Sequence, residues 1–161
     1  MKLKFITTGG TIDKVYFDAK SEYEVGPPQV ATLLRDAGVA FDFEIESILR
    51  KDSLDMTDTD RALIRERVAA DPAAHIVVTH GTDTMIQTAL ALRGIPGKTI
   101  VLTGSMQPAR FRATDAEFNL GTAVAAAQTL PPGVYIAMNG RVFDPERTRK
   151  NVARNCFEES D

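Results

Sequence analysis

Short apolar runs rich in β-branched residues alternate with longer segments of helical period along most of the chain. The runs predict five strands and the longer segments predict four helices. The expected strands are Leu3–Thr7, Val39–Ile45, His75–Thr79, Thr99–Thr103 and Val134–Met138, and the expected helices are Pro28–Asp36, Asp58–Ala70, Thr84–Leu92 and Asp115–Leu130. Because this alternation is typical of βα units, we expect one α/β domain: a doubly wound, mostly parallel sheet in a Rossmann-like or flavodoxin-like three-layer αβα arrangement.

Three segments fall outside that alternation. Ile12–Gly26 is polar, has no clear period and is too long for a βα turn, so it predicts a functional loop or lid and the most mobile internal segment. Asn139-Gly140 is a hairpin signal and predicts a small antiparallel extension. The acidic residues 158–161 show no pattern and are expected at a domain edge.

Composition limits the classes of partner. The 161 residues, with 43% hydrophobic and 25% charged positions, are typical of one folded soluble domain. The net charge of −3 argues against nucleic acid or an anionic membrane as a partner, and no apolar stretch is long enough for a signal peptide or a membrane span. We therefore expect a cytoplasmic protein. Cys156, the single cysteine, is expected to be a free surface thiol.

Hydroxyl groups and glycines collect where the expected strands end. They occur at Thr7–Thr11, Thr79–Thr84 and Thr103–Ser105, and Asp52–Asp55 adds a polar cluster after the second strand. Ligands of open α/β sheets bind beyond the carboxyl ends of the strands. These segments are therefore the candidate site.

Two conventional interpretations of these segments lack their defining residues. The first segment has neither the glycine spacing nor the Gly-Lys-Ser/Thr ending of a nucleotide loop, so no cofactor is expected. A Ser105, His80 and Asp83 hydrolase triad lacks the second glycine of a nucleophile elbow. His75 and His80 have no spaced Cys or Glu partners, so they are expected to be structural and no metal site is expected.

A threonine nucleophile is the third interpretation. A hydroxyl attacks only after losing its proton to a nearby base, and Thr82 stands beside the Asp83 carboxylate at the start of an expected helix. The residues by themselves leave plainer alternatives open. Thr82 or Asp83 is also a good helix N-cap, Thr11 a turn residue and Lys150 a solvated lysine.

Two motifs in this order resemble the signatures of the bacterial-type L-asparaginase and glutaminase family. They are Thr8–Ile12 after the first strand and Thr79–Met85 after the third. Further segments with the same resemblance extend it over nearly the whole chain, namely Ser21–Gly26, Asp52–Met56, Gly104–Pro108, Phe118–Leu120 and Met138–Lys150. The resemblance is closer to the cytoplasmic type I branch, and it implies an amidohydrolase that releases ammonia from L-asparagine and, more weakly, from L-glutamine.

The resemblance also implies catalytic roles. Thr11 corresponds to the first nucleophile, whose hydroxyl attacks the side-chain amide carbon to form an acyl-enzyme. Tyr23, on the expected lid, corresponds to the tyrosine that helps to activate it. Thr82 corresponds to the second threonine, with Lys150 as its proton partner and Asp83 completing that triad.

Substrate-binding roles are carried over in the same way. Ser53 corresponds to the residue that holds the substrate α-carboxylate, and Asp83 to the one that pairs with the α-ammonium. Gly10 and Thr82 are included in the substrate-binding set, since backbone N–H groups near the two threonines suit an oxyanion.

The chain also departs from the family pattern. Family members usually carry a second, C-terminal domain, and an acidic residue from a neighbour's second domain completes the substrate site. This chain stops where the linker to that domain would begin, so residues 1–161 are expected to be the asparaginase-like N-terminal domain alone. Asp13 stands where many relatives have a small residue, and Leu54 where the periplasmic branch has glutamine.

Other functional classes remain as alternatives to the asparagine amidohydrolase. The main one is a non-catalytic or regulatory domain that binds aspartate or asparagine. A subunit of a transamidation complex would need a tRNA-engaging region that this sequence lacks. A homodimer is expected, because a chain without a covering domain leaves apolar surface exposed.

Overall fold

The computed structural model describes residues 1–161 and contains ten strands and four helices. The strands are β1 (Lys2–Gly9), β2 (Lys14–Phe17), β3 (Glu22–Val25), β4 (Asp42–Lys51), β5 (His75–Thr79), β6 (Thr99–Thr103), β7 (Gly133–Met138), β8 (Arg141–Phe143), β9 (Thr148–Asn151) and β10 (Cys156–Glu159). The helices are α1 (Val30–Asp36), α2 (Asp58–Ala70), α3 (Met85–Ala91) and α4 (Ala116–Thr129). No helix combines the length and the apolar character that a membrane span requires.

Six strands form the main sheet in the order β4-β1-β5-β6-β7-β8. The first five are parallel and β8 is antiparallel to β7. After β1, the chain adds β4 on one side of β1 and then β5 on the other side, so the direction of strand addition changes between β1 and β5. The ends of neighbouring strands are level, with Thr7 opposite Thr79 and Thr79 opposite Thr103. The doubly wound fold is confirmed, and its topological switch point, where such folds bind ligands, lies beyond β1 and β5.

The sheet is covered on both faces. On one face α2 and α3 pack through side chains such as Ile64, Val68 and Met85, and on the other α1 and α4 pack through Leu34 and several alanines. Burial on both faces explains the nearly continuous apolar runs of β5 and β6. It also explains why these two strands have the bounds that the sequence predicts.

The structure differs from the sequence prediction at the edge strand β4. Val39–Ile45 was the expected segment, whereas the strand covers Asp42–Lys51. It is half-exposed at the sheet edge, where Glu44 and Arg50 are tolerated and the apolar pattern is weak. Pairing of Gly9 with Lys51 extends the strand as far as the candidate site.

The expected irregular loop at Ile12–Gly26 is also different. A short 3-10 turn leads into a two-stranded hairpin of residues 14–25, here named the Tyr23 hairpin. Cross-strand packing stabilises it, with the Tyr16 and Tyr23 rings 5.3 Å apart, and it buries little against the core. A hairpin of this kind leaves no core-facing period in the sequence. Its mobility stays a prediction.

Two hairpins follow β7. Asn139 and Gly140 both have positive φ, 54° and 73°, and form the predicted turn between β7 and β8. The second hairpin, β9–β10, was missed, because its acidic strand residues Glu158 and Glu159 show no apolar alternation. Cys156 lies in β10 as a half-buried free thiol, more enclosed than the expected surface position.

Close backbone contacts bring the strand ends together. A Cβ added to Gly10 would lie 2.4 Å from the Gly81 nitrogen, and one added to Gly81 would lie 2.5 Å from Ser53 Cβ. Gly10 also has φ of 87°, a conformation that other residues rarely adopt. The loops after β1, β4 and β5 therefore meet without space for a side chain between them.

We expect Gly10→Ala to destabilise the domain far more than Gly38→Ala. Gly38 also has positive φ (60°) but has nothing within 4 Å of an added Cβ, so its variant reports the backbone strain alone, about 1 to 2 kcal/mol. Gly10→Ala adds a backbone clash, and we expect at least about 3 kcal/mol. Urea unfolding of both variants measures the difference, and equal losses would show that the contact is not tight.

Candidate active site

The two candidate threonines lie on touching loops at the switch point. Thr11 begins the 3-10 turn directly after Gly10 and is half-buried. Thr82 follows Gly81 and is buried. Because Gly10 and Gly81 are in contact, the two threonines follow backbone segments that adjoin each other.

A lysine links the second threonine to a carboxylate. Lys150 Nζ donates hydrogen bonds to Thr82 Oγ1 at 2.8 Å and to Asp83 Oδ1 at 2.6 Å. The Lys150 side chain is largely enclosed, with 16% of its surface exposed, whereas Asp83 is 41% exposed. This arrangement can relay a proton between a hydroxyl and an amine while a carboxylate stabilises the ammonium form.

The position of Lys150 depends on the hairpin that sequence reasoning missed. Lys150 on β9 is directly opposite Phe157 on β10, so the two side chains share a face. Phe157 is buried in the core that contains α2 and α3, and its N–H donates to Asn139 Oδ1 at 2.8 Å. Core burial of Phe157 therefore directs Lys150 towards Thr82.

Ser53 is buried in a 3-10 turn of residues 53–55 that follows β4, here named the Ser53 turn. Its hydroxyl oxygen accepts a hydrogen bond from the Asp83 N–H at 3.1 Å, and its carbonyl accepts one from the Thr84 hydroxyl at 2.7 Å. The Ser53 turn is thus bonded to the loop that carries Thr82. Four of the residues singled out from the sequence, Ser53, Thr82, Asp83 and Lys150, form one hydrogen-bonded cluster.

Tyr23 lies outside that cluster. Its ring packs against Phe111 at 5.5 Å and against Tyr16, about half of its surface is exposed, and its hydroxyl makes no hydrogen bond with Thr11. The structure therefore places Tyr23 on a neighbouring hairpin without bringing it to the threonine.

The helix-cap alternative is wrong for this loop. Helix α3 begins at Met85 with Thr84 at the N-cap position, and no side chain caps it. Thr82 and Asp83 precede the cap, and both contact Lys150 instead.

The serine triad is excluded by the contacts of His80. Its Nδ1 is 2.7 Å from the Gly81 carbonyl and its Nε2 is 2.7 Å from the Thr88 hydroxyl, while the Ser105 hydroxyl donates to the Gln107 carbonyl. Complete burial lowers the pKa of His80 to about 4, so its ring is neutral at pH 7. Through these contacts His80 stabilises the loop that carries Thr82, as expected of a structural histidine. No group of three or more His, Cys, Asp or Glu side chains is arranged to hold a metal ion.

The family model described as the N-terminal asparaginase domain matches residues 2–160. The chain belongs to the asparaginase family. The L-asparaginase of Thermococcus kodakarensis is 34% identical over an alignment that covers 98% of this chain and 51% of that protein. The glutaminase-asparaginase of Acinetobacter glutaminasificans is 32% identical, covering 91% and 49% of the two chains.

Solved structures agree with this membership. The thermostable Thermococcus kodakarensis enzyme superimposes with a TM-score of 0.86 at 32% identity, covering 99% of this chain and 51% of that one. A probable cytoplasmic L-asparaginase from Campylobacter jejuni gives 0.82 at 26% identity, with 98% and 52% covered. The chain spans about half the length of these asparaginase relatives.

Asp13 stabilises the loop that follows Thr11 in this asparaginase domain by two hydrogen bonds. It is buried two residues after Thr11, its Oδ1 accepts the Gln29 N–H at 2.9 Å, and its carbonyl accepts the Gly26 N–H at 2.8 Å. Burial raises the pKa of the Asp13 carboxyl to about 7, although the Gln29 hydrogen bond and the charge of Arg50 oppose the rise. Sequence reasoning noticed only that the residue is unusual, because burial of a carboxylate leaves no sequence signal.

The raised pKa predicts how stability depends on pH. Between about pH 4 and pH 7 the folded protein holds the Asp13 proton and the unfolded chain does not. The contribution of Asp13 to the free energy of unfolding therefore declines as pH rises from about 4 to about 7 and is lost above that. Asp13→Asn keeps the acceptor and removes the charge. We expect it to stabilise the domain at pH 8 by about 2 to 4 kcal/mol and to change little at pH 4.

Denaturant unfolding at both pH values measures this effect, with the exposed Asp18→Asn on the Tyr23 hairpin as the matched control. An equal effect of Asp13→Asn at pH 4 and pH 8 would contradict the assignment.

Proposed function

We propose that this domain hydrolyses the side-chain amide of L-asparagine to L-aspartate and ammonia, with Thr11 as the nucleophile. The observation that carries the proposal is the Thr82, Lys150 and Asp83 cluster, held against the Thr11 loop by the contact of Gly10 with Gly81. The family membership supports the same reaction. L-Glutamine is a second candidate substrate, because one relative is named a glutaminase-asparaginase.

The first half of the proposed reaction forms an ester. The Thr11 hydroxyl oxygen attacks the amide carbon, its proton passes to the departing nitrogen through neighbouring groups, and ammonia leaves an aspartyl ester on Thr11. Backbone N–H groups of the two touching loops suit the oxyanion of the tetrahedral intermediate. Tyr23 assists this step only after the Tyr23 hairpin moves its hydroxyl towards Thr11.

The second half consumes water. The neutral Lys150 amine can take a proton from Thr82, and Asp83 then stabilises the resulting ammonium at 2.6 Å. The deprotonated Thr82 oxygen can orient the attacking water and take its proton as the water oxygen bonds to the ester carbon. The ester C–O bond to Thr11 then breaks, the proton held on Lys150 passes to the Thr11 oxygen through neighbouring groups, and aspartate is released with the Thr11 hydroxyl restored.

Substrate recognition uses the neighbouring charges. We assign the α-ammonium to the exposed carboxylate of Asp83 and the α-carboxylate to Ser53 together with the N–H groups around Gly10 and Thr82. The Asp83 N–H already donates to Ser53 Oγ, so the two groups that hold opposite ends of the amino acid are mutually fixed. Such a pair favours a small α-amino acid over a simple amide.

We expect Thr11→Ala, Thr82→Ala and Lys150→Met each to lower kcat by about 10²-fold or more, because each removes a group used in the reaction and little core volume. Ser53→Ala and Asp83→Asn should chiefly raise KM, with some loss of kcat in Asp83→Asn. Ammonia release coupled to aspartate formation measures these effects. Thr122→Ala on the exposed face of α4 and Lys20→Met are matched controls that should retain activity.

Binding measurements on the same preparation separate catalysis from recognition. Calorimetry should show that Thr11→Ala still binds aspartate. Full hydrolysis by Thr11→Ala would contradict the nucleophile assignment. Aspartate binding by the unmutated chain without any ammonia release would favour the regulatory binding domain instead.

We also propose a homodimer in the cytoplasm. Two highly exposed apolar side chains flank the cluster, Leu54 (73% exposed) beside Ser53 and Val152 (76%) two residues after Lys150, which suits a covering partner. One similar solved structure is described as a probable cytoplasmic enzyme. Light scattering at micromolar concentration should give the mass of two chains, and a monomer would contradict the dimer.

A further inference from the structure

The Tyr23 hairpin and the Ser53 turn form two walls of one cavity of about 490 Å³. Lys14 and Tyr23 line it from the hairpin, and Asp52 and Asp55 line it from the other side. One ion pair crosses between the walls: Lys14 Nζ lies 3.0 Å from Asp52 Oδ2. Among the salt bridges of the structure, only this one joins the Tyr23 hairpin to the rest of the domain.

The register of the hairpin places Lys14 and Tyr23 on the same face. Lys14 is opposite Val25, and Tyr16 is opposite Tyr23. Opposed side chains lie on the same face of an antiparallel pair, and so do side chains two positions apart along one strand, which places Lys14, Tyr16 and Tyr23 together. Because the Lys14 ammonium contacts Asp52, this shared face is directed towards the Ser53 turn. The ion pair therefore reports which way the Tyr23 side of the hairpin faces.

Asp52 has two contacts that act on different segments. Its Oδ1 accepts the Leu54 N–H at 3.1 Å and caps the turn that carries Ser53, while its Oδ2 contacts Lys14. Partial burial would raise the pKa of the Asp52 carboxyl, but the hydrogen bonds from Lys14 and Leu54 outweigh burial and hold it below its usual value. The group is therefore ionised at neutral pH and available to both partners.

We propose that Lys14 and Asp52 are positioning residues that hold the Tyr23 hairpin against the Ser53 turn, the docked position from which Tyr23 approaches Thr11. This inference rests on the proposed function, in which the Tyr23 hydroxyl assists the attack by Thr11. The Asp52 carboxylate then couples the docked position of the Tyr23 hairpin to the conformation of the Ser53 turn. Loss of either charge lets the hairpin open without removing any group that touches the substrate.

The exposure of the Lys14 and Asp52 side chains sets the expected strength of their ion pair. The Lys14 and Asp52 side chains are 27% and 33% exposed, so the pair is neither buried nor fully solvated. Ion pairs of this kind change a local equilibrium by a few-fold. We therefore expect about a 3-fold shift towards the open hairpin, a regulatory effect rather than a loss of fold.

The test compares Lys14→Met and Asp52→Asn with Lys20→Met. Asp52→Asn keeps an oxygen that can accept the Leu54 N–H, and Lys20→Met breaks the Lys20–Glu24 pair inside the same hairpin. We expect amide hydrogen exchange over residues 14–25 to accelerate about 3-fold in the first two variants and to stay unchanged in the third. We expect kcat/KM to fall by a similar factor, with no further fall in the double variant and recovery in Lys14→Arg.

The exchange measurement does not need turnover, so it tests the coupling even if the unmutated chain releases no ammonia. Exchange in Lys14→Met equal to that in Lys20→Met would overturn the inference. Losses that multiply in the double variant would also overturn it, because two residues that act through one ion pair cannot add independently. A melting curve of each variant confirms that the fold is intact.

Discussion

The contact between the Gly10 and Gly81 backbones is the constraint on which the candidate site depends. It joins the ends of β1 and β5 at the switch point of the sheet, and the next residue on each side is a threonine. Gly81 also lies against Ser53, so the loop after β4 is drawn into the same contact. Any side chain at these glycines would separate the hydroxyl groups that the proposed chemistry brings together.

Two hairpins supply the remaining groups, and they are held in different ways. The β9–β10 hairpin is anchored by Phe157 in the hydrophobic core, which keeps Lys150 within 2.8 Å of Thr82. The Tyr23 hairpin is held at the surface by aromatic ring contacts and by the Lys14–Asp52 ion pair. Lys150, the proposed proton partner, is thus attached to the core, whereas Tyr23, the group proposed to approach Thr11, is on the more weakly attached element.

Buried polar side chains stabilise the loops that carry Thr11 and Thr82. His80, neutral because burial lowers its pKa, bonds the Gly81 carbonyl, and Asp13, whose pKa burial raises to about 7, closes the base of the Tyr23 hairpin. The contributions of His80 and Asp13 to the free energy of unfolding depend on pH in opposite directions. The folded state loses the contribution of His80 as pH falls from about 6.5 to 4, and that of Asp13 as pH rises towards 7.

The hydrophobic pattern by itself determined the central strands and the four helices, and the Asn139-Gly140 pair determined the β7–β8 turn, since each is written in consecutive residues. The Thr8–Ile12 and Thr79–Met85 motifs identified the family and the candidate threonines. The same resemblance paired Thr82 with Lys150, and the tertiary structure shows the two in contact. Only the tertiary structure decided that the β9–β10 hairpin brings Lys150 to Thr82, that Asp83 is not a helix cap, and that residues 14–25 form a hairpin facing Asp52. These features depend on contacts between segments up to 68 residues apart, which no local pattern encodes.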